Sequence, residues 1–199
     1  KTTITFNLAA ALGELGHTVL LVDSDPQCNL TTYFFDDEKV DSLLDRSDKD
    51  DGETIWSAVK PVVEEGGTLR LVAAKETGID NCQLIPGDLR LSEFEPELNS
   101  YWSDAKEGKK RGFSGTTSLS RLVNHNACKL NADFVFYDTG PNIGPLNRAI
   151  LLDCDSFIVP AACDVFSTRA LKTLGKSLTG WINRWAKILE AAPPDAPVL

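Results

Sequence analysis

Val19-Leu20-Leu21-Val22-Asp23-Ser24-Asp25-Pro26-Gln27 is the stretch on which the fold turns. Four consecutive apolar residues are the pattern of a strand covered on both faces. Pro26 has no N–H and forbids further ladder pairing, so the strand ends in a turn that carries two carboxylates, Asp23 and Asp25. Backward from there, Ile4, Leu8, Ala11, Leu12 and Leu15 recur at helical spacing and Gly16 is a natural stop, predicting a helix over residues 3–15. Forward, residues 69–72 (LRLV) and 83–85 (QLI) read as short strands, the second closed by Pro86-Gly87. Residues 89–98 read as helical up to a disturbance at Pro96, a basic loop covers 106–112, and a helix is expected around 117–128. A second buried strand, residues 134–137 (FVFY), ends at Asp138-Thr139-Gly140-Pro141. A short helix at 146–152 leads to a further strand, 157–159 (FIV), stopped by Pro160. Leu171, Leu174, Leu178, Trp181, Trp185 and Ile188 then mark one long helix. Helices alternating with apolar strands predict an α/β fold: a mostly parallel, twisted sheet with helices on both faces.

Composition narrows the classes. The 199 residues carry 20 basic and 29 acidic side chains, a net charge of -9, and 42% are apolar, which suffices for a real core. Residues 1–100 hold 8 basic and 20 acidic side chains, whereas 101–199 hold 12 and 9. Such an acidic chain is not built to coat nucleic acid, because phosphates would be repelled. Residues 36–53 alone hold nine acids against three bases, the composition of a solvated loop or linker with short helical pieces. No run approaches the roughly 18 apolar residues that span a bilayer. Cys28, Cys82, Cys128, Cys154 and Cys163 are odd in number and never spaced C-x-x-C, which predicts buried thiols in a reducing cytoplasm. With only His17 and His125 to join them, a cysteine–histidine metal site is not expected. There is no methionine, and the chain opens on Lys1 in what reads as the middle of a motif, so a fragment is expected, a single domain over 1–199 incomplete at both ends.

Ligands of open α/β sheets bind beyond the carboxyl ends of the strands. Two strands here end in aspartate and a turn, Asp23/Asp25 and Asp138, and Lys1-Thr2-Thr3 opens a helix. A lysine at a helix N-terminus sets a mobile positive charge beside backbone N–H donors and the helix dipole, which suits a polyphosphate. The following hydroxyl suits a Mg²⁺ that bridges phosphates, and a strand-end carboxylate suits the other side of that ion. Each piece alone also fits a plain cap or Asx turn; their order and spacing favour the site.

On these residues the chain resembles the ParA/MinD family of P-loop ATPases, the deviant Walker A group. Lys1-Thr2-Thr3 is similar to the tail of the family's K-G-G-x-G-K-T-T loop, and residues 19–31 (VLLVDSDPQCNLT) to its Walker A′ segment. Residues 134–141 (FVFYDTGP) resemble Walker B, usually D-T-P-P, from which Gly140 departs. Residues 84–89 (LIPGDL) and 158–171 (IVPAACDVFSTRAL) follow the ParA branch. The resemblance implies that Lys1 contacts the β- and γ-phosphates of ATP, Thr2 ligates Mg²⁺ and Thr3 helps hold the α-phosphate. It implies that Asp25 orients the attacking water and Asp138 holds the Mg²⁺ shell, while Asp23 either supports the outer shell or caps the strand end. It further implies a cytoplasmic, slow, partner-stimulated ATPase that closes as an ATP-bound homodimer. That enzyme would act in plasmid or chromosome partitioning with a ParB-like centromere-binding partner, and would touch DNA through surfaces outside this stretch. The alternatives are a nucleotide-dependent regulatory or assembly switch and a P-loop ligase or amidotransferase. No Ser-His-Asp or Cys-His arrangement stands out, and the guanine-reading N-K-x-D signature is absent, which favours ATP. The basic residues Lys106, Lys109, Lys110 and Arg111 read as a solvated loop before a DNA contact.

Overall fold

The computed structural model describes residues 1–65 and 68–199. In chain order the elements are α1 (Thr2–Glu14), β1 (Val19–Ser24), α2 (Asn29–Phe34), α3 (Asp37–Arg46), α4 (Ile55–Glu65), β2 (Lys75–Glu76), β3 (Cys82–Ile85) and a 3-10 turn (Leu89–Glu93). There follow α5 (Phe94–Lys106), α6 (Lys110–Thr116), α7 (Ser118–Leu130), β4 (Phe134–Thr139), α8 (Pro145–Asp153) and α9 (Val165–Leu189). They form two compact units, Lys1–Phe94 with Ser118–Pro141, and Glu95–Thr117 with Asn142–Leu199.

The first unit holds the sheet, ordered β2-β3-β1-β4 among the described residues. β1 runs parallel to β3 and β4, and β2 alone is antiparallel, on β3. All six residues of β1 are buried, as the apolar run requires. Val19 and Leu21 pack with Ala9, Leu30 and Leu84, and α7 also packs on β1. The predicted helix at the start is present, but its buried face is not the expected stripe. Ala9 and Gly13 are buried, while Ile4 is 44% and Leu15 75% exposed. Small residues win because α1 lies so close to β3 that a Cβ on Gly13 would stand 2.4 Å from the Asp80 carbonyl oxygen and 2.9 Å from Cys82 Sγ.

Residues 69–72 do not form the expected strand. Leu69 and Val72 are buried, but the backbone finds other partners than a ladder. Arg70 N donates to Ala58 O at 3.0 Å, and the Asn126 side chain on α7 donates to Val72 O and accepts from Ala74 N, both at 2.9 Å. The acidic stretch 36–53 contains an expected helical piece, α3, and is tied down on either side of it. Asp36 caps α3 by accepting from Lys39 N at 2.9 Å. Lys60 pairs with Asp48 at 2.7 Å, and the Arg70 guanidinium donates to Gly52 O at 2.6 Å, anchoring the turn that follows α3.

The second unit is helical. Pro96 does not interrupt it: it is the third residue of α5, where a missing N–H costs no helix bond. Trp102 and Trp185 stack with ring centroids 5.2 Å apart, and Phe113 and Ile188 complete their cluster, so the tryptophan stripe of α9 is core. Residues 106–112 are the end of α5 and the start of α6 rather than one loop. Residues 157–159 were expected as a strand but are irregular, with Ile158 66% exposed. An apolar run becomes a strand only beside a partner, and among the described residues none pairs with it. All five cysteines are free; Cys28 and Cys82 are buried as expected, whereas Cys128 and Cys163 are exposed and Cys154 is intermediate. No described helix is long and apolar enough to cross a membrane.

Candidate functional site

The parallel register between β1 and β4 sets Asp23 opposite Asp138 and Ser24 opposite Thr139. Ser24 Oγ donates to Asp138 O at 2.8 Å, tying the two strand ends together. The start of α1 meets these ends. Thr2 Oγ1 donates to Asp138 Oδ2 at 2.6 Å and Thr5 Oγ1 to Asp138 Oδ1 at 3.4 Å. The Lys1 ammonium donates to Thr139 O and stands 3.9 Å from Asp25 Oδ2. Lys1, Thr2, Asp25 and Asp138, separated by up to 137 positions in the chain, therefore converge at the carboxyl end of the sheet. Thr3 is placed differently: its hydroxyl is 3.0 Å from that of Tyr33, on α2.

Two features suit anions. The N–H groups of Thr2 and Thr3 at the start of α1 have no partner within the helix, and no acidic residue lies in that turn to repel a phosphate. Asp138 is buried and Asp25 nearly so, at 2% and 6% exposure, so charge placed beside them is poorly screened. Asp23 is fully buried. Burial pushes its carboxyl up to about 6; the Thr31 hydroxyl and N–H oppose that rise, and the neighbouring Asp138 charge adds to it. Its Oδ2 accepts both Thr31 donors, while Oδ1 has no hydrogen-bond partner among the described residues.

The donor set is a test for Mg²⁺. Hydroxyl and carboxylate oxygens are the ligands of a hard cation, and Mg²⁺ is commonly held by one or two carboxylates together with substrate phosphates. Among the described residues no cluster of three or more His, Cys, Asp or Glu exists that would cage a metal by itself. One carboxylate beside one hydroxyl, Asp138 beside Thr2, is the set that fits an ion arriving with a polyphosphate.

The AAA-domain family AAA_31 matches residues 1–190, nearly the whole chain. The chain belongs to this family, as a ParA/MinD-type P-loop ATPase. It is 28% identical over 174 residues to the sporulation initiation inhibitor protein Soj of Bacillus subtilis (strain 168), covering 87% of this chain and 58% of Soj. It is 27% identical over 182 residues to the chromosome partitioning protein ParA of Caulobacter vibrioides (strain NA1000 / CB15N), covering 89% of this chain and 57% of that protein. The chain thus spans under three fifths of either relative's length. Among solved structures, protein DIP2308 from Corynebacterium diphtheriae superposes with a TM-score of 0.83 at 28% identity, covering 96% of this chain and 65% of that one.

Beside Asp25, Gly140 departs from the D-T-P-P pattern without a visible clash: a Cβ there would meet Asp25 Oδ1 at an ordinary 3.6 Å. Thr5, Ser24, Thr31, Tyr33 and Gly87 were not singled out by the sequence reading. Thr5 was legible in principle, since it lies one helical turn after Lys1 on the same face. The others depend on contacts across chain segments. Three of the four basic residues of 106–112 are locally compensated. Lys109 pairs with Asp104 at 3.1 Å and Glu107 at 2.7 Å, Lys110 with Asp195, and Arg111 with Asp104 at 2.9 Å. That pattern is the solvated alternative to a DNA contact.

Proposed function

We propose that the chain is the ATPase module of a ParA-like partitioning protein. It binds ATP with Mg²⁺, closes as a homodimer around the nucleotide, hydrolyses ATP slowly to ADP and phosphate, and is stimulated by a ParB-like partner in the cytoplasm. The observation that carries this reading is the convergence of Lys1, Thr2, Asp25 and Asp138, with Thr2 and Asp138 in direct contact and Lys1 beside Asp25. The relation to the chromosome partitioning protein of C. vibrioides supports the partitioning role.

In phosphoryl transfer the protein's work is positioning and charge neutralisation. Lys1 exchanges its neighbours Thr139 O and Asp25 for the β- and γ-phosphates. Thr2 and Asp138 hold Mg²⁺, which when bound neutralises phosphate charge. Asp25, one residue beyond the strand end, orients the attacking water. Thr3 is assigned to the α-phosphate. DNA contact is assigned to surfaces other than the ion-paired 106–112 segment. A regulatory switch without DNA segregation is the second reading, favoured by the relation to a sporulation initiation inhibitor.

The test is the mass of the full-length protein by light scattering, followed together with phosphate release. ATP with Mg²⁺ is expected to double the mass, and the dimer to decay as phosphate appears. A mass unchanged by ATP, or phosphate release with no dimer at any time, would contradict the switch.

A further inference from the structure

The two carboxylates at the end of β1 differ sharply in surroundings. Asp25 opens the short connection of residues 25–28 that leaves β1 and enters α2, with Asp23 on the β1 side and Thr31 on the α2 side. The connection contains a left-handed residue, Cys28 at φ 54° and ψ 29°, a conformation that a non-glycine residue keeps only when its surroundings impose it. Within it, Cys28 N donates to Asp25 O at 2.8 Å and Gln27 N to Asp25 Oδ1 at 3.1 Å. These bonds set the local turn, but they do not fix it to the rest of the sheet.

Its base is closed by Thr31. Thr31 N and Oγ1 both donate to Asp23 Oδ2, at 2.8 and 2.6 Å. The same hydroxyl accepts from Gly87 N at 2.8 Å, in the turn after β3. A Cβ on Gly87 would stand 2.8 Å from Asp23 Cγ, so the closeness of this turn to the carboxyl depends on glycine. The turn is itself held from behind. Asp88 Oδ2 accepts from Thr54 Oγ1 at 2.7 Å, and Ile55 N donates to Pro86 O at 2.8 Å. Asp23, Thr31, Thr54 and Asp88 are all at most 2% exposed, so water does not compete for these bonds.

We propose that Thr31 is a positioning residue for Asp25: its hydroxyl staples the two ends of the Asp25-bearing loop to Asp23 and to the fixed turn at Gly87. Asp23 is then the anchor of this staple rather than an outer-shell group of the metal. The inference rests on the assignment of Asp25 to water orientation in the proposed ATPase. Thr31 touches neither water nor nucleotide in this scheme; it acts through the geometry of Asp25.

The experiment compares wild-type, Thr31→Val, Thr31→Ser and Gly87→Ala full-length proteins for ATP affinity, kcat and thermal unfolding. Val keeps the shape and loses the hydroxyl, whereas Ser keeps the hydroxyl. Thr31→Val is expected to lower kcat by about ten- to a hundredfold, the effect of misplacing a reactive group by a fraction of an ångström to an ångström. ATP affinity should stay within about twofold, because the loss falls on the chemical step. Ser should restore kcat, and Gly87→Ala, which pushes on the Asp23 side of the staple, should reproduce the Val defect while folded at the assay temperature. A Val variant with wild-type kcat overturns the staple alone. So does a Val defect that Ser does not rescue, or one in which ATP affinity falls in step with kcat. A wild-type protein that binds ATP with Mg²⁺ and never turns it over overturns the hydrolase assignment and this inference with it.

Discussion

Lys1→Ala in the full-length protein is expected to weaken ATP binding by about 30- to 100-fold, since hydrogen bonds to charged groups contribute about 1.5–3 kcal/mol each. The structure sets the ammonium between the ends of β1 and β4 and the first turn of α1. It is also exposed enough to leave its present neighbours, with 35% of its side-chain surface accessible. Its removal deletes a charge but no core contact, so unfolding should shift by no more than about 0.5 kcal/mol. Titration calorimetry with ATP and Mg²⁺ reads the affinity, and a denaturant curve reads the fold. Wild-type affinity in this variant would remove Lys1 from the phosphate site.

Asp25→Ala is expected to do the reverse, sparing binding and removing turnover. A positioned group acting on the attacking water contributes about 100- to 10,000-fold, and a single-turnover assay should show a fall of that order. Affinity for ATP should be unchanged or slightly tighter. Asp25 competes for the Lys1 ammonium at 3.9 Å and brings a negative charge near an anionic ligand, so its loss favours binding by sign. The fall in rate should therefore appear in kcat with no rise in KM. Unchanged turnover would take Asp25 out of the water-positioning role, and loss of affinity without loss of turnover would reverse the roles assigned to Asp25 and Lys1.

The parts of the fold legible in the sequence are those where one local pattern suffices. The run of residues 19–22 and the stop at Pro26 placed β1 and its carboxylates, and residues 134–137 placed β4 and Asp138, although β4 is not the buried strand its apolar run predicts: Phe134 is 39% and Val135 36% exposed. Of the stripe Leu171, Leu174, Leu178, Trp181, Trp185 and Ile188, the last four form the buried face of α9, whereas Leu171 is 42% exposed. Where the pattern misled, a neighbour decided. Residues 69–72 have the composition of a strand, but the Asn126 side chain takes the place of a ladder partner. Residues 157–159 are equally apolar, yet no described strand pairs with them. In α1 Phe6 and Leu12 are partly buried against the core, but the fully buried positions are Ala9 and Gly13, and at Gly13 the close approach of the chain before β3 leaves no room for a side chain.

The candidate site divides in the same way. Lys1, Thr2, Asp25 and Asp138 were readable because charged and hydroxyl groups at strand and helix ends have few purely structural uses together. The Asp23–Thr31–Gly87 connection was not, since Gly87 lies 56 positions beyond Thr31. A threonine in a turn carries no sign of which distant N–H it will accept from. Asp23 illustrates the difference most clearly: the sequence leaves it between metal shell and strand cap, and in the structure its Oδ2 accepts from both the N–H and the hydroxyl of Thr31.

In the proposed ATPase, Lys1, Thr2, Asp25 and Asp138 form one site for ATP together with Mg²⁺. Its most direct test is the equilibrium affinity of the full-length protein for ATP, measured with Mg²⁺ and again after chelation by EDTA. With Thr2 and Asp138 holding an ion that arrives with the phosphates, affinity should fall by about tenfold or more when Mg²⁺ is removed, because the buried Asp138 carboxylate then faces the polyphosphate uncompensated. Equal affinity in the two conditions would contradict the site.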